Sequence, residues 1–232
     1  MDAKSENTRD ISFWLREIIL GGQDGVVNVL GIVLAVAAAT DDTRIVLISG
    51  LAGGAAESLS MVAVAYTSNL AVSDYYHSRL QQEIRQVKED PEGAERDVRK
   101  IYEQKGFKGE ELDMIVRRIT SDKQVWVDTM MSEELRLFPE EANRARTSAI
   151  VVGVAVVIGS LMPLVPFMFG SIKAGIIGSI VVCLIALFAT GAIKARMTVG
   201  NWLKSGIQMA SIGLGAAMAG YGIGMLLGQL PQ

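Results

Sequence analysis

Long apolar stretches alternate with polar segments along this chain. The first apolar stretch runs from about Ile18 to Ala39 and ends at Asp41-Asp42. The second runs from about Ile45 to Ser68, and the others cover about Ser148–Phe169, Ala174–Ile193 and Ile207–Leu227. A helix needs about 20 residues to cross ~30 Å of hydrocarbon, so each of the five is predicted to be a transmembrane span. Pro163 and Pro166 should kink or unwind the far end of the third. Between spans two and three, from Asp74 to Arg146, the chain is dense in Glu, Asp, Lys and Arg. The predicted fold is all-α: a polytopic membrane protein with five transmembrane helices and one helical insert. The expected divisions are an N-terminal segment 1–17, spans one and two in 18–72, the insert in 73–146, and spans three to five in 147–232.

Within the insert the period is helical. Tyr76, Leu80, Ile84 and Val87 form an apolar stripe that carries span two beyond the membrane until Pro91 stops it. A helix is expected over about Glu92–Lys105 with Gly106 at its C-terminal cap, and another over about Glu110–Ile119. A fourth should run from about Lys123 to Phe138, capped by Ser121 or Asp122, before Pro139 turns the chain back.

Composition agrees with this division. Half of the 232 residues are hydrophobic, and the net charge of −3 says little because insert and loops contribute differently. The single cysteine, Cys183, lies in an apolar stretch and is expected to be a packing residue; no disulfide framework exists. The single histidine, His77, is expected at the membrane interface. The first apolar run lacks a signal-peptide cleavage pattern and is expected to be a retained span. Basic residues cluster at Lys4, Arg9 and Arg16, in the insert, and at Lys194, Arg196 and Lys204, against only Arg44 and Lys173 on the other side. The positive-inside rule therefore places the N-terminus and insert in the cytosol and the uncharged C-terminal tail outside. Gly220, Gly224 and Gly228 recur every four residues, as do Gly21 and Gly25, and Ser49 and Gly53 lead into Glu57, Met61 and Ala65. Such stripes let helices approach closely.

Two carboxylates stand inside these apolar spans, Asp24 and Glu57. A charge there costs at least a few kcal/mol, so it is rarely kept without a use. Asn28 shares a helix face with Asp24, and Met61 follows Glu57 by one turn. Carboxylate oxygen beside thioether sulfur suits a first-row transition metal better than Ca²⁺ or Mg²⁺. A buried carboxyl that can trade a proton for a cation is antiporter chemistry. The alternatives are that Asp24 is solvated at a helix N-terminus and that Glu57 is a protonated structural hydrogen-bonder. In the insert, Met130 and Met131 lie four and three residues before Glu134. They are either soft-metal ligands or the core face of an amphipathic helix that includes Val127.

The ordered set Arg16-Glu17-Ile18-Ile19, Asp24-Gly25, Gly50-Leu51-Ala52-Gly53 and Leu59-Ser60-Met61 resembles spans one and two of the vacuolar iron transporter family. Lys100 to Gly106, Trp126 to Leu135, and Gly159-Ser160-Leu161-Met162-Pro163-Leu164-Val165-Pro166 extend the resemblance over nearly the whole chain. It implies a homodimer that moves Fe²⁺, and often Mn²⁺, out of the cytosol in exchange for protons, with the pore between subunits. By this resemblance Asp24 and Met61 match the family's ligands in the spans, and Asp97, Glu111, Met130, Met131 and Glu134 match those of the insert. Three departures stand out. Gly53 occupies the family's glutamate position in span two, and Glu57 sits one turn later, ~6 Å along the same face. Lys100 and Lys108 stand where acids are expected, and a protonated lysine cannot coordinate a cation.

The expected function is export of Fe²⁺, with Mn²⁺, Zn²⁺ or Co²⁺ as other cargo. Asp24, Asn28, Glu57 and Met61 would form the path, in the cell membrane of a prokaryote or a vacuolar-type membrane of a eukaryote. No prosthetic group and no nucleic-acid partner are expected. The alternative is a membrane-anchored metal-binding or regulatory protein. Nothing resembles a nucleotide loop or a nucleophile–base set, so an enzyme is not expected.

Overall fold

The computed structural model describes residues 3–139, 144–198 and 200–228, with side chains from Phe13 onward. The tail beyond Gly228 and the side chains of Lys4 and Arg9 lie outside the described residues. The described chain is helical: α1 Ala3–Ala39, α2 Thr43–Glu89, α3 Pro91–Gln104, α4 Gly109–Thr120, α5 Lys123–Thr129, a π turn Met130–Glu134, α6 Ala145–Leu161, a 3₁₀ turn Val165–Met168, α7 Ile172–Met197 and α8 Trp202–Gly228. Four helices are long and apolar enough to cross a membrane: Phe13–Ala39 of α1, α2, α7 and α8. The third predicted span is different. Its regular part is the 17-residue α6, and Pro163 and Pro166 lie in the turn and 3₁₀ segment that follow. Unwinding frees carbonyls, and Ser179 of α7 donates its hydroxyl to Pro163 O.

The chain divides into two compact units, Met1–Tyr66 with Arg146–Gln232, and Thr67–Ala145. In the first, Val26, Val29, Leu30, Val33 and Leu34 of α1 form the centre of a core that includes Cys183 and Leu187 of α7 and Met209 and Ala217 of α8. Lipid is as apolar as these side chains, so close van der Waals packing, not exclusion from water, must hold the spans together. Glycine permits it. A Cβ on Gly21 would stand 2.6 Å from Val152 O of α6, and one on Gly220 or Gly224 would collide with Gly31 or Ala35 of α1.

The second unit has its own core of Val87, Ala94, Val98, Leu112, Val116, Trp126, Val127, Met130 and Met131. Pro91 opens α3 at its first turn, where a missing N–H costs nothing, and Asp90 caps it by accepting from Gly93 N at 2.9 Å. Asp122 caps α5, accepting from Gln124 N at 2.9 Å. Gly106 takes φ +100°, the left-handed conformation that ends α3. Arg99 pairs with Asp113 at 2.6 Å, tying α3 to α4.

Two expectations for this unit need correction. The fourth insert helix does not run to Phe138. It changes at Met130 to i→i+5 bonding, with Leu135 N donating to Met130 O at 3.2 Å, and Arg136 then adopts φ 54°. The inward stripe of α2 also does not include Ile84, which is 42% exposed. Glu83, 6% exposed, takes the inward position between Leu80 and Val87.

Candidate functional site

In the first unit, α1 and α2 bring three of the predicted site residues together. Asn28 Nδ2 donates to Asp24 Oδ1 at 3.3 Å along α1. Glu57 of α2 comes within hydrogen-bonding reach of Asp24 and Asn28. Small residues make the approach feasible: Gly53 and Gly54 of α2 lie against Ile32 and Val29 of α1. Two carboxyl groups side by side repel when both are charged, and a shared proton or a bound cation relieves the repulsion. Asp24 and Glu57 are half-buried and Asn28 is exposed. Met61, one turn beyond Glu57, packs on Ala65 of α2 and Ala149, Val152 and Val156 of α6.

Two further polar residues of this unit were not anticipated as site candidates. Glu17, two turns before Asp24, is 6% exposed and accepts from Ser148 Oγ of α6 at 3.0 Å. Ser160 of α6 is buried between Gly25 and Gly54, and its Oγ has no hydrogen-bond partner among the described residues. Both carry a sequence signal: a polar residue at the edge of, or within, an apolar run.

In the insert, Met130 and Met131 are buried core residues, at 0% and 2% exposure. Glu134, on the same π turn, is exposed and lines a polar cleft of about 510 Å³ with Asp97, Lys100, Lys105, Glu133 and Arg136. Lys105 pairs with Glu133 at 2.5 Å, and Gln86 Nε2 donates to Asp97 Oδ2 at 2.9 Å. Lys100 lines the same cleft as Glu134, so a lysine stands where the resemblance leads one to expect an acid. Lys108 is exposed at the start of α4 and caps nothing with its side chain. Glu111 is exposed in the first turn of α4 and is not among the cleft's lining residues. Partial desolvation at the cleft wall, with the nearby Asp97 charge, holds the otherwise exposed Glu134 above the ordinary glutamate value of 4.5, while Lys100 opposes the shift. Burial also raises Glu83, helped by Glu134 and Asp97 and opposed by Arg79. Among the described residues, no three His, Cys, Asp or Glu side chains converge closely enough to hold a metal ion. His77 is exposed and stacks edge-on against Tyr76.

This arrangement has named relatives. "Vacuolar iron transporter 2" of Oryza sativa subsp. japonica is 33% identical over 210 residues, covering 90% of this chain and 85% of its own. "Vacuolar iron transporter 1" of Arabidopsis thaliana is 30% identical over 208 residues, 89% and 83% of the two chains. "Protein CCC1" of Saccharomyces cerevisiae is 26% identical over 223 residues, 92% and 69%. The profile of the VIT family matches residues 15–225, from before Asp24 to the last turn of α8. A match that takes in both carboxylate-bearing spans, the whole insert and the three helices after it shows that this chain belongs to the VIT family.

Proposed function

We propose that this protein exports a divalent transition metal from the cytosol in exchange for protons, with Fe²⁺ as the principal cargo and Mn²⁺, Zn²⁺ or Co²⁺ as others. The supporting observation is the meeting of Asp24, Asn28 and Glu57 between two apolar helices. One pair of carboxyl groups can hold a proton or a divalent cation, but not both at full occupancy, and that exclusion is the elementary step of an exchanger. Met61 supplies a soft donor one turn along α2, which favours iron over magnesium. The iron-transporter names of the relatives support the same cargo. Five spans carry the path, with the short α6 and its 3₁₀ extension as the third. The N-terminus and the insert 73–146 face the cytosol, where the insert collects ions. Two copies pair so that the path runs between them.

The test is Fe²⁺ uptake into proteoliposomes under an imposed pH gradient. Asp24→Asn and Glu57→Gln should each slow uptake by about tenfold or more, and Glu57→Gln should uncouple it from the gradient. Parent-like uptake by both Asp24→Ala and Met61→Ala would refute the path. Loss with Asp24→Asn but not with Glu57→Gln would leave Asp24 and Met61 as the working pair.

A further inference from the structure

The turn between α7 and α8 gathers cations without acids. Lys194 and Arg196 lie in the last turn of α7, and Lys204 is the third residue of α8. All three are exposed. Among the described residues their side chains enter no ion pair, in contrast to Arg99 and Lys105 of the insert. The sequence supplies no acid nearby, since no Asp or Glu follows Glu141. The two helix ends are pressed together. A Cβ on Gly191 would stand 2.5 Å from Ser205 O, and one on Gly206 would stand 2.6 Å from Phe188 Cε2. Lys194 and Lys204 therefore leave their helices within one turn of the closest approach. Both ends are already closed by the protein. Thr198 donates its N–H and its hydroxyl to Lys194 O at 3.0 and 2.9 Å, and Asn201 Oδ1 accepts from Leu203 N at 3.0 Å and Lys204 N at 3.2 Å. The helix dipole favours cations in a last turn, which accounts for Lys194 and Arg196. It disfavours a cation in a first turn, where Lys204 stands, and the first turn of α8 has no acid. The positive charge at this turn is a cost to the protein alone, and a bound anion removes it.

We propose that the α7–α8 turn is a binding site for an anionic phospholipid, whose headgroup phosphate is held by Lys194, Arg196 and Lys204. The surroundings of the cations identify the source of the phosphate. Both helices are long and apolar enough to cross a membrane, so the turn that joins them stands at headgroup depth. Ile193, Met197, Trp202 and Leu203 are about half exposed beside it, at 54, 52, 47 and 48%. Trp202 packs edge-on against Phe188, with ring centroids 6.2 Å apart, and the Arg196 guanidinium lies 6.0 Å from the Trp202 ring. A guanidinium resting on a ring face keeps its N–H groups for an acceptor. Tryptophan beside basic residues matches a lipid at two levels: the ring and aliphatic side chains meet acyl carbons, and the cations meet phosphate. A free phosphate would engage only the cations. The site is separate from the carboxylates of α1 and α2, and it anchors the α7–α8 pair to one leaflet.

The test uses the full-length protein in a neutral detergent, with phosphatidylglycerol as the probe and phosphatidylcholine as the uncharged control. Phosphatidylglycerol should raise the melting temperature more than phosphatidylcholine does, and native mass spectrometry should show it retained in preference. Each of Lys194→Gln, Arg196→Gln and Lys204→Gln should weaken phosphatidylglycerol binding about fivefold, and the three together should abolish the preference. Lys204→Arg should keep it, and Lys173→Gln, at the other end of α7, should leave it unchanged. Lys204→Gln also carries a reversal that a merely structural lysine would not show. In detergent alone it should melt no lower than the parent, because it removes a cation from the first turn of a helix; with phosphatidylglycerol it should melt lower than the parent. If the triple variant yields little folded protein, the three single variants decide. A preference for phosphatidylglycerol that survives all three changes, or that Lys173→Gln lowers as much as they do, overturns the proposal. A rise in melting temperature with inorganic phosphate equal to that with phosphatidylglycerol overturns the lipid as occupant and leaves a free-phosphate site.

Discussion

Glu57 stands one helical turn from the position that family resemblance assigns to its carboxylate, yet it meets Asp24 and Asn28. The glycine at the vacated position has a use of its own: a Cβ on Gly53 would stand 2.6 Å from Ile32 Cδ1, so the small residue brings α2 onto α1. The same reasoning separates two adjacent glycines of α1. Gly21→Ala places a Cβ 2.6 Å from the backbone oxygen of Val152, which cannot yield without moving α6. It should destabilise the protein by about 1–3 kcal/mol, read as a lower melting temperature in detergent. Gly22→Ala meets nothing nearer than 3.9 Å. It should be neutral or stabilise by up to about 1 kcal/mol, because alanine favours the helix. Equal losses at both positions would show that the α1–α6 contact is not what Gly21 serves. Asp24, Asn28 and Glu57 were legible as candidates because a polar atom in an apolar run is conspicuous. Their mutual contact was not, because it depends on how α1 and α2 are rotated against each other, and no period within one helix contains that.

At the scale of the element, membrane helices were the most legible parts and the insert the least. Composition alone delimits α7 and α8, whose ends extend a few residues past the apolar core into Lys194 and Arg196 or back to Trp202. In α2 the stripe Tyr76, Leu80, Ile84, Val87 fits a helical period, but so does Tyr76, Leu80, Glu83, Val87. Apolarity favours the first set and the packing uses the second. The π turn escaped because nothing in Met130–Glu134 forbids an α-helix. Glu83 and Glu134 together predict an unusual pH dependence for the metal-free insert. Both are raised above 4.5 in the folded protein, by loss of solvation first, full for the buried Glu83 and partial for Glu134, with Asp97 adding to each, Glu134 adding to Glu83, and Arg79 and Lys100 opposing. The folded state therefore binds these protons more tightly than the unfolded state. Their contribution to stability is fully present below about pH 4.5 and is lost as pH rises through the folded values. With chelator present, melting of the insert should come at a lower temperature at pH 7.5 than at pH 5.5. Glu83→Gln should flatten that slope, whereas an unchanged slope would mean that Glu83 exchanges no proton on folding.

The whole molecule poses a problem that one chain does not solve. Asn28 is exposed, and Asp24 and Glu57 are half-exposed, on helices whose other outward residues include Ile18 and Leu20 of α1 and Ile48, Leu51, Leu59 and Val64 of α2. Isoleucine and leucine facing outward suit lipid. An amide and two carboxyl groups do not, because hydrocarbon offers them no hydrogen bonds. The α7 and α8 faces, with Ile177, Ile185, Ile207 and Met218 outward, present no such conflict. The surface that needs covering is thus the α1–α2 side, and the proposed pairing of two copies would cover it with the same groups, with four carboxylates around one two-fold axis. Exposed Ser60 of α2, three residues past Glu57, should then lie near its counterpart. Cys183 is fully buried in the α7 contact with α1 and α8, so an added cysteine can be read without replacing it. Ser60→Cys in native membranes should form a disulfide-linked dimer on mild oxidation, and Ile177→Cys, on the lipid-facing side of α7, should not. Fe²⁺ uptake should fall when the Ser60→Cys cross-link forms and recover on reduction, because the link holds closed the passage between the two Glu57 side chains. A protein that stays monomeric in detergent by light scattering, with no cross-link at position 60, would instead require Asp24 and Glu57 to be shielded within one chain.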